Sequence, residues 1–131
     1  MPKVFISYSH DSTAHKKRVR SLADKFRKKG IDCTIDQYIE NPSEGFPRWM
    51  INQISDSDFV IIVCTEIYNK RVSGKEEEGV GLGAIWEGAI ITQTLFENGG
   101  KNDKFIPAVF EDSDLSNIPE FLSPFKYYSL S

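Results

Sequence analysis

The chain predicts a doubly wound α/β fold, built on a five-stranded parallel sheet of order 2-1-3-4-5. Three observations predict it. Short apolar runs alternate with segments of helical spacing along the whole chain. One run, Phe59-Val60-Ile61-Ile62-Val63-Cys64, is apolar at every position, as a central strand buried on both faces must be. Five such runs, linked strand-helix-strand, favour the 2-1-3-4-5 order over other parallel arrangements.

The elements follow in order. Val4-Phe5-Ile6 is a short buried strand, bounded by Pro2 and by Ser7-Tyr8-Ser9-His10-Asp11. Asp11 or Ser12 can cap the next helix. That helix runs to about Lys29, with Val19, Leu22, Ala23 and Phe26 as its inward stripe, and Gly30 stops it. Ile31 to Asp36 is the second strand. The loop from Gln37 to Pro47 holds two prolines and one glycine, and Pro47 suits the first position of a second helix. Met50, Ile51 and Ile54 give that helix its apolar face, and Asp56-Ser57-Asp58 ends it. The third strand, Phe59 to Cys64, leads through Thr65 to Tyr68 into a long polar loop from Asn69 to about Gly83. A helix then extends to about Asn98, stopped by Gly99-Gly100. It is apolar nearly all round and is expected to be largely buried, with Ile85, Ala89, Thr92 and Phe96 on one face. Phe105 to Phe110 is the fourth strand, and its Pro107 is expected at a strand start or nearer the sheet edge. Ile118 to Leu122 forms at most one or two helical turns. Lys126 to Leu130 is a short fifth strand. The arrangement is flavodoxin-like.

Composition narrows the function. The 131 residues fit one domain, and 40% hydrophobic content supports an ordinary core. We expect a single domain over residues 1–131, the N-terminal part of a longer protein, because a final helix normally covers such a sheet after its fifth strand. The longest apolar run is too short to span a bilayer, and the N-terminus lacks the pattern of a secretory signal. Cys33 and Cys64 read as buried free thiols in a reducing cytoplasm. Neither they nor His10 and His15 have metal-ligand spacing, so no metal is expected. A net charge of −3 without a basic-aromatic motif argues against nucleic acid. Yet residues 16–29 hold eight of the sixteen basic side chains. Acidic groups gather at Glu76 to Glu78 and at Glu111, Asp112, Asp114 and Glu120. Opposite charges on different faces favour head-to-tail self-association.

Candidate site residues lie where the first and third strands part, at their C-terminal ends. The hydroxyl-rich Ser7-Tyr8-Ser9 closes the first strand. Gly81 and Gly83 precede or open the third long helix and let a ligand approach the backbone. Glu87 stands in what reads as the first turn of that helix. It is either a helix-start charge, stabilised by about 0.3–1 kcal/mol, or a working carboxylate at the mouth of a pocket. Tyr38 and Trp86 are candidates to stack on a ligand's rings. Phe5 and Trp49 read as core, and Arg48 as an exposed loop arginine. A phosphate-receiving domain would close its third strand with an aspartate, whereas Cys64-Thr65 stand here. Gly79-x-Gly81-x-Gly83 does not follow the first strand, so it is no dinucleotide fingerprint.

Together these blocks resemble TIR domains and their SEFIR relatives. Val4-Phe5-Ile6-Ser7-Tyr8-Ser9 is similar to the family's opening strand. Asp36-Gln37-Tyr38 through Gly45-Phe46-Pro47-Arg48-Trp49-Met50 is similar to the loop after the second strand and its helix. Asp58 to Thr65, Gly81 through Trp86-Glu87-Gly88, and Lys104-Phe105-Ile106-Pro107 complete the match in the family's order. The Trp-Glu-Gly block and the Asp-Gln loop lean towards the bacterial SEFIR branch.

The resemblance implies a signalling module that associates with its own kind, in bacterial defence or stress signalling. The interaction residues it implies are Tyr38, Ile39, Glu40, Glu44, Phe46 and Arg48, in the loop after the second strand. Many TIR domains also hydrolyse NAD, and Glu87 matches their required glutamate. Ser7, Tyr8, Ser9, Tyr38, Gly81, Gly83 and Trp86 would then line the NAD site, with NAD as substrate and no cofactor required. The chain departs from the common enzymatic pattern in one respect: Gly83 stands four residues before the glutamate, where a Trp is common, and Trp86 is adjacent instead. Cleaving the nicotinamide-ribose bond develops positive charge on the sugar, and one nearby carboxylate can stabilise it. The leaving nicotinamide departs neutral, so no second acid is needed.

Overall fold

The computed structural model describes residues 2–73 and 82–130, the side chains of 82–88 excepted. Five strands form one parallel sheet in the order β2-β1-β3-β4-β5: β1 (Lys3–Ser7), β2 (Asp32–Thr34), β3 (Phe59–Val63), β4 (Phe105–Val109) and β5 (Tyr128–Ser129). The helices are α1 (Thr13–Lys28), α2 (Phe46–Asp56), α3 (Glu66–Val72) and α4 (Leu82–Glu97). Three 3-10 turns, Asp36–Tyr38, Asp112–Asn117 and Glu120–Leu122, fill connections.

Alternation along the strands sorts the core into two layers, because successive side chains point to opposite faces. Phe5, Val60, Ile62, Phe105 and Val109 face α2, α3 and α4, where Trp49, Ile54, Tyr68, Ile91 and Leu95 meet them. Val4, Ile6 and Val63 face α1, where Val19 and Ala23 meet them. Phe5 and Trp49 are both core, touching edge to face at 5.8 Å between ring centroids. Register is set on the central strand, with Phe5 opposite Val60 and Ile62 opposite Pro107. Cys33 and Cys64 are free and buried.

Local chemistry explains the boundaries. Ser12 caps α1 by accepting from the His15 N–H at 3.0 Å. Gly30, at φ 85°, turns the chain out of that helix in the left-handed region. Gly45 precedes α2 at φ 80°, so Phe46 takes the first helical position and Pro47 the second, one later than expected.

Three expectations are corrected. The loop expected from Asn69 starts as helix: Glu66–Val72 forms α3, capped by Thr65, which accepts from the Tyr68 N–H at 3.2 Å. Glu87 is not in a first turn, because α4 begins at Leu82 and makes Glu87 its sixth residue. The described part of α4 is not largely buried. Ile91 and Leu95 enter the core, whereas Ala89 and Thr92 are exposed and Phe96 is 84% exposed. Pro107 lies mid-strand in β4 rather than at its start, but next to the edge strand, the second of the two places expected for it. Lys104 O and Ala108 O accept from Val60 and Cys64 on one side, while Val109 O accepts from Leu130 on the other. Odd-numbered residues of β4 therefore turn towards β5, whose pairing starts only at Ala108. The N–H that proline lacks falls outside that ladder.

Candidate functional site

The C-terminal ends of β1 and β3 lie side by side, Ser7 opposite Ile62, and hydroxyl groups collect just beyond them. The Ser7 and Tyr68 hydroxyls lie 2.7 Å apart, both residues only 1% exposed. The Ser9 hydroxyl lies 3.3 Å from that of Thr65 and donates to the Asp11 carboxylate. Strand alternation puts Ser7 on the side of α2, α3 and α4, and α3 delivers Tyr68 to it. The cluster is polar and buried. It can donate and accept hydrogen bonds, but it contains no strong acid or base.

Tyr8 points the other way. Its hydroxyl donates to Asp36 Oδ1 at 2.6 Å and accepts from the Gln37 side-chain amide at 2.8 Å. His10 Nε2 meets the second carboxylate oxygen of Asp36 at 2.6 Å. Burial works to raise the Asp36 carboxyl, but the hydrogen bonds from His10 and Tyr8 outweigh it and hold it below the usual carboxylate range. Burial first, and the Asp36 bond second, push the Tyr8 phenol well above its ordinary value. Gln37 also donates to the Lys16 carbonyl at 2.8 Å. These contacts pin the start of the β2 loop to β1 and α1.

Tyr38 continues that anchor. Its hydroxyl donates to Asp24 at 2.5 Å, and the Arg27 guanidinium lies 3.9 Å from its ring centroid. Burial and the Asp24 contact push its phenol up to about 12. Beyond it the loop opens to solvent. Glu40, Glu44, Phe46 and Arg48 are exposed and Ile39 is partly buried. Phe46 rests edge-on against Trp49 at 6.2 Å.

The expected ligand-binding residues thus divide. Ser7 and Ser9 come together, joined by Tyr68 and Thr65. Tyr8 and Tyr38 belong to two contacts on the α1 side, Asp36 and Asp24. Gly81 lies outside the described residues, and so do the side chains of Trp86 and Glu87; the backbone of Gly83, Trp86 and Glu87 belongs to α4. That helix packs against α2 and α3, and α3 carries Tyr68. Sequence reasoning missed Tyr68 and Asp36 as partners. Thr65 three residues before Tyr68 is a helix-start pattern that pointed to the first. Tyr8 and His10, two apart after β1, pointed to a shared partner such as the second. Among the described residues no group of three His, Cys, Asp or Glu could hold a metal, and no helix is long and apolar enough to cross a membrane.

Known proteins share this arrangement. The SEFIR domain family profile matches residues 2–131. A crystal structure of a prokaryotic SEFIR domain superposes with a TM-score of 0.71 at 26% identity, covering 98% of this chain and 85% of that one. The TIR domains of the activated Roq1 resistosome, which directly recognises the pathogen effector XopQ, give 0.62 at 15% identity, covering 95% and 68%. A metazoan TIR-STING receptor from C. gigas gives 0.66 at 20% identity, covering 98% of this chain but 37% of that one. No curated protein matches significantly. SEFIR and TIR domains generally signal by homotypic interaction. With the whole chain matched and the strand order shared, this protein belongs to the SEFIR domain family.

Proposed function

We propose that this chain is a signalling module that self-associates through the loop after β2, in bacterial defence or stress signalling. One observation carries the reading. The exposed segment Ser43 to Arg48 stands on a base pinned by the Tyr8–Asp36, His10–Asp36 and Tyr38–Asp24 contacts. A surface held in one geometry loses less entropy on binding than a free loop. Phe46 supplies an apolar anchor, and Glu40, Glu44 and Arg48 supply charges of both signs. Replacing Ile39, Glu40, Glu44 and Phe46 together with alanine or serine should lower the weight-average mass measured by light scattering. An unchanged mass would remove this loop from the interface.

A second reading has its own support. The buried hydroxyls of Ser7, Tyr68, Ser9 and Thr65 collect at the C-terminal ends of the sheet's central strands, and ligands of doubly wound sheets bind there. α4, which bears Glu87, packs on the helix that carries Tyr68. We propose that assembled copies cleave the nicotinamide-ribose bond of NAD, with Glu87 stabilising the positive charge that develops on the ribose. Tethering the domain at high density and assaying nicotinamide release tests this. Release should disappear in Glu87→Gln with the fold retained, and persistent release would refute the role of Glu87.

A further inference from the structure

Tyr8 has a neighbour besides Asp36. The His15 ring lies 6.2 Å from the Tyr8 ring and 6.0 Å from that of Phe110, which it meets edge to face. His15 belongs to α1, Tyr8 follows β1 and Phe110 follows β4, so one imidazole bridges three elements. Its Nε2 is buried and has no hydrogen-bond partner among the described residues.

That seat suits a neutral ring and opposes a charged one. An imidazolium carries an N–H on both nitrogens, and the one on Nε2 would find no acceptor. His15 is also the third residue of α1, in the first turn, where the helix dipole opposes a positive charge. The charged groups around the ring divide. Arg18 of α1 and His10, beyond β1, work against a proton on it. Asp11, ahead of α1, and Asp114, in the turn after β4, work for one. Glu111, also after β4, is paired with Arg18. Burial is the largest effect, and it holds the imidazole below its ordinary value.

The contacts continue to the β2 loop. The Tyr8 ring that packs by His15 carries the hydroxyl that holds Asp36. At the same root, the Tyr38 and Ile39 amides donate to the Ile35 and Asp36 carbonyls at 3.2 and 3.1 Å.

We propose that His15 is an acid-sensitive latch on the β2 loop: the neutral ring holds Tyr8 in place beside Phe110, and protonation drives the ring out and frees the root of the loop. The folded chain takes up this proton less readily than the unfolded one. The latch is therefore whole above 6.5, the ordinary histidine value, and loosens as pH falls below it. The latch itself does not depend on self-association, but its effect on assembly rests on that reading, since a freed root no longer presents Ser43 to Arg48 in one geometry.

Hydrogen exchange and light scattering from about pH 8 down to about pH 5.5, where imidazoles titrate, test it. Protection factors at the Tyr38 and Ile39 amides, corrected for intrinsic exchange, should fall several-fold in the wild type. They should stay constant in His15→Phe, which keeps a ring but gains no proton. His15→Leu repeats the comparison with a smaller side chain, and circular dichroism verifies both folds. Constant protection in the wild type, or an equal fall in both variants, would overturn the latch. So would a fall that disappears in His10→Gln instead, which would assign the response to the His10–Asp36 pair. The weight-average mass should decline over the same pH range. An unchanged mass alongside falling protection would support the latch and remove the β2 loop from the interface.

Discussion

The Tyr8 hydroxyl donates to Asp36 Oδ1 at 2.6 Å, tying the exit of β1 to the exit of β2. The two residues are 28 apart in sequence and follow the adjacent strands β1 and β2. With His10 on the second oxygen, the carboxylate fixes where the β2 loop begins.

Tyr8→Phe removes a hydrogen bond to a charged group and should destabilise the fold by about 1.5–3 kcal/mol. The pH dependence follows from the direction of the Asp36 shift. A carboxyl held below its unfolded value of 3.8 stabilises the fold fully above that value. The contribution is lost as pH falls through the lower folded value. Denaturant midpoints of the wild type and Asp36→Asn should therefore differ most at neutral pH and converge in strong acid. A gap independent of pH would show that the carboxylate charge contributes nothing.

Ser7 and Tyr68 form a buried pair across the β1–α3 contact, so their substitutions should not add. A double-mutant cycle of Ser7→Ala and Tyr68→Phe should give a coupling of about 0.5–3 kcal/mol, read from urea unfolding. Additive effects would mean that each hydroxyl is satisfied elsewhere.

Gly45 stands at φ 80° and ψ 154°, with open space where a Cβ would go. Gly45→Ala thus isolates a backbone effect without a clash. It should cost about 1–3 kcal/mol, because that region is essentially restricted to glycine. The loss should also reach assembly, since Gly45 lies between Glu44 and Phe46. Thermal melts and light scattering on one sample check both.

Burial raises the Cys33 thiol to about 11 and the Cys64 thiol to about 12. The reactive thiolate is therefore scarce at neutral pH as well as shielded. Both thiols should resist an aromatic disulfide reagent in the native protein and react together on denaturation. Rapid native labelling of Cys64 would mean that the β3–α3 junction opens readily.

Sequence alone determined the strands, their parallel order and the family. Phe59 to Cys64 read as a central strand, buried from Val60 onward except for a partly buried Ile61, and the alternation of short apolar runs with helical stripes left little choice of architecture. It also directed attention to the C-terminal ends of β1 and β3, because strand order decides where the chain crosses to opposite faces of the sheet. It did not show which polar groups meet there. Tyr38 reads as a ligand-facing aromatic until the fold sets Asp24 and Arg27 of α1 against it. Tyr68, which reads as the end of the third strand, has no partner assigned until α3 carries its hydroxyl to Ser7. The apolar surround of α4 suggested burial, yet the core had room for Ile91 and Leu95 and left Phe96 outside. Periodicity records which residues share a face, a local property of the chain. Which face is covered, and which side chains meet across it, depends on contacts between residues far apart in sequence, and only tertiary packing decides those.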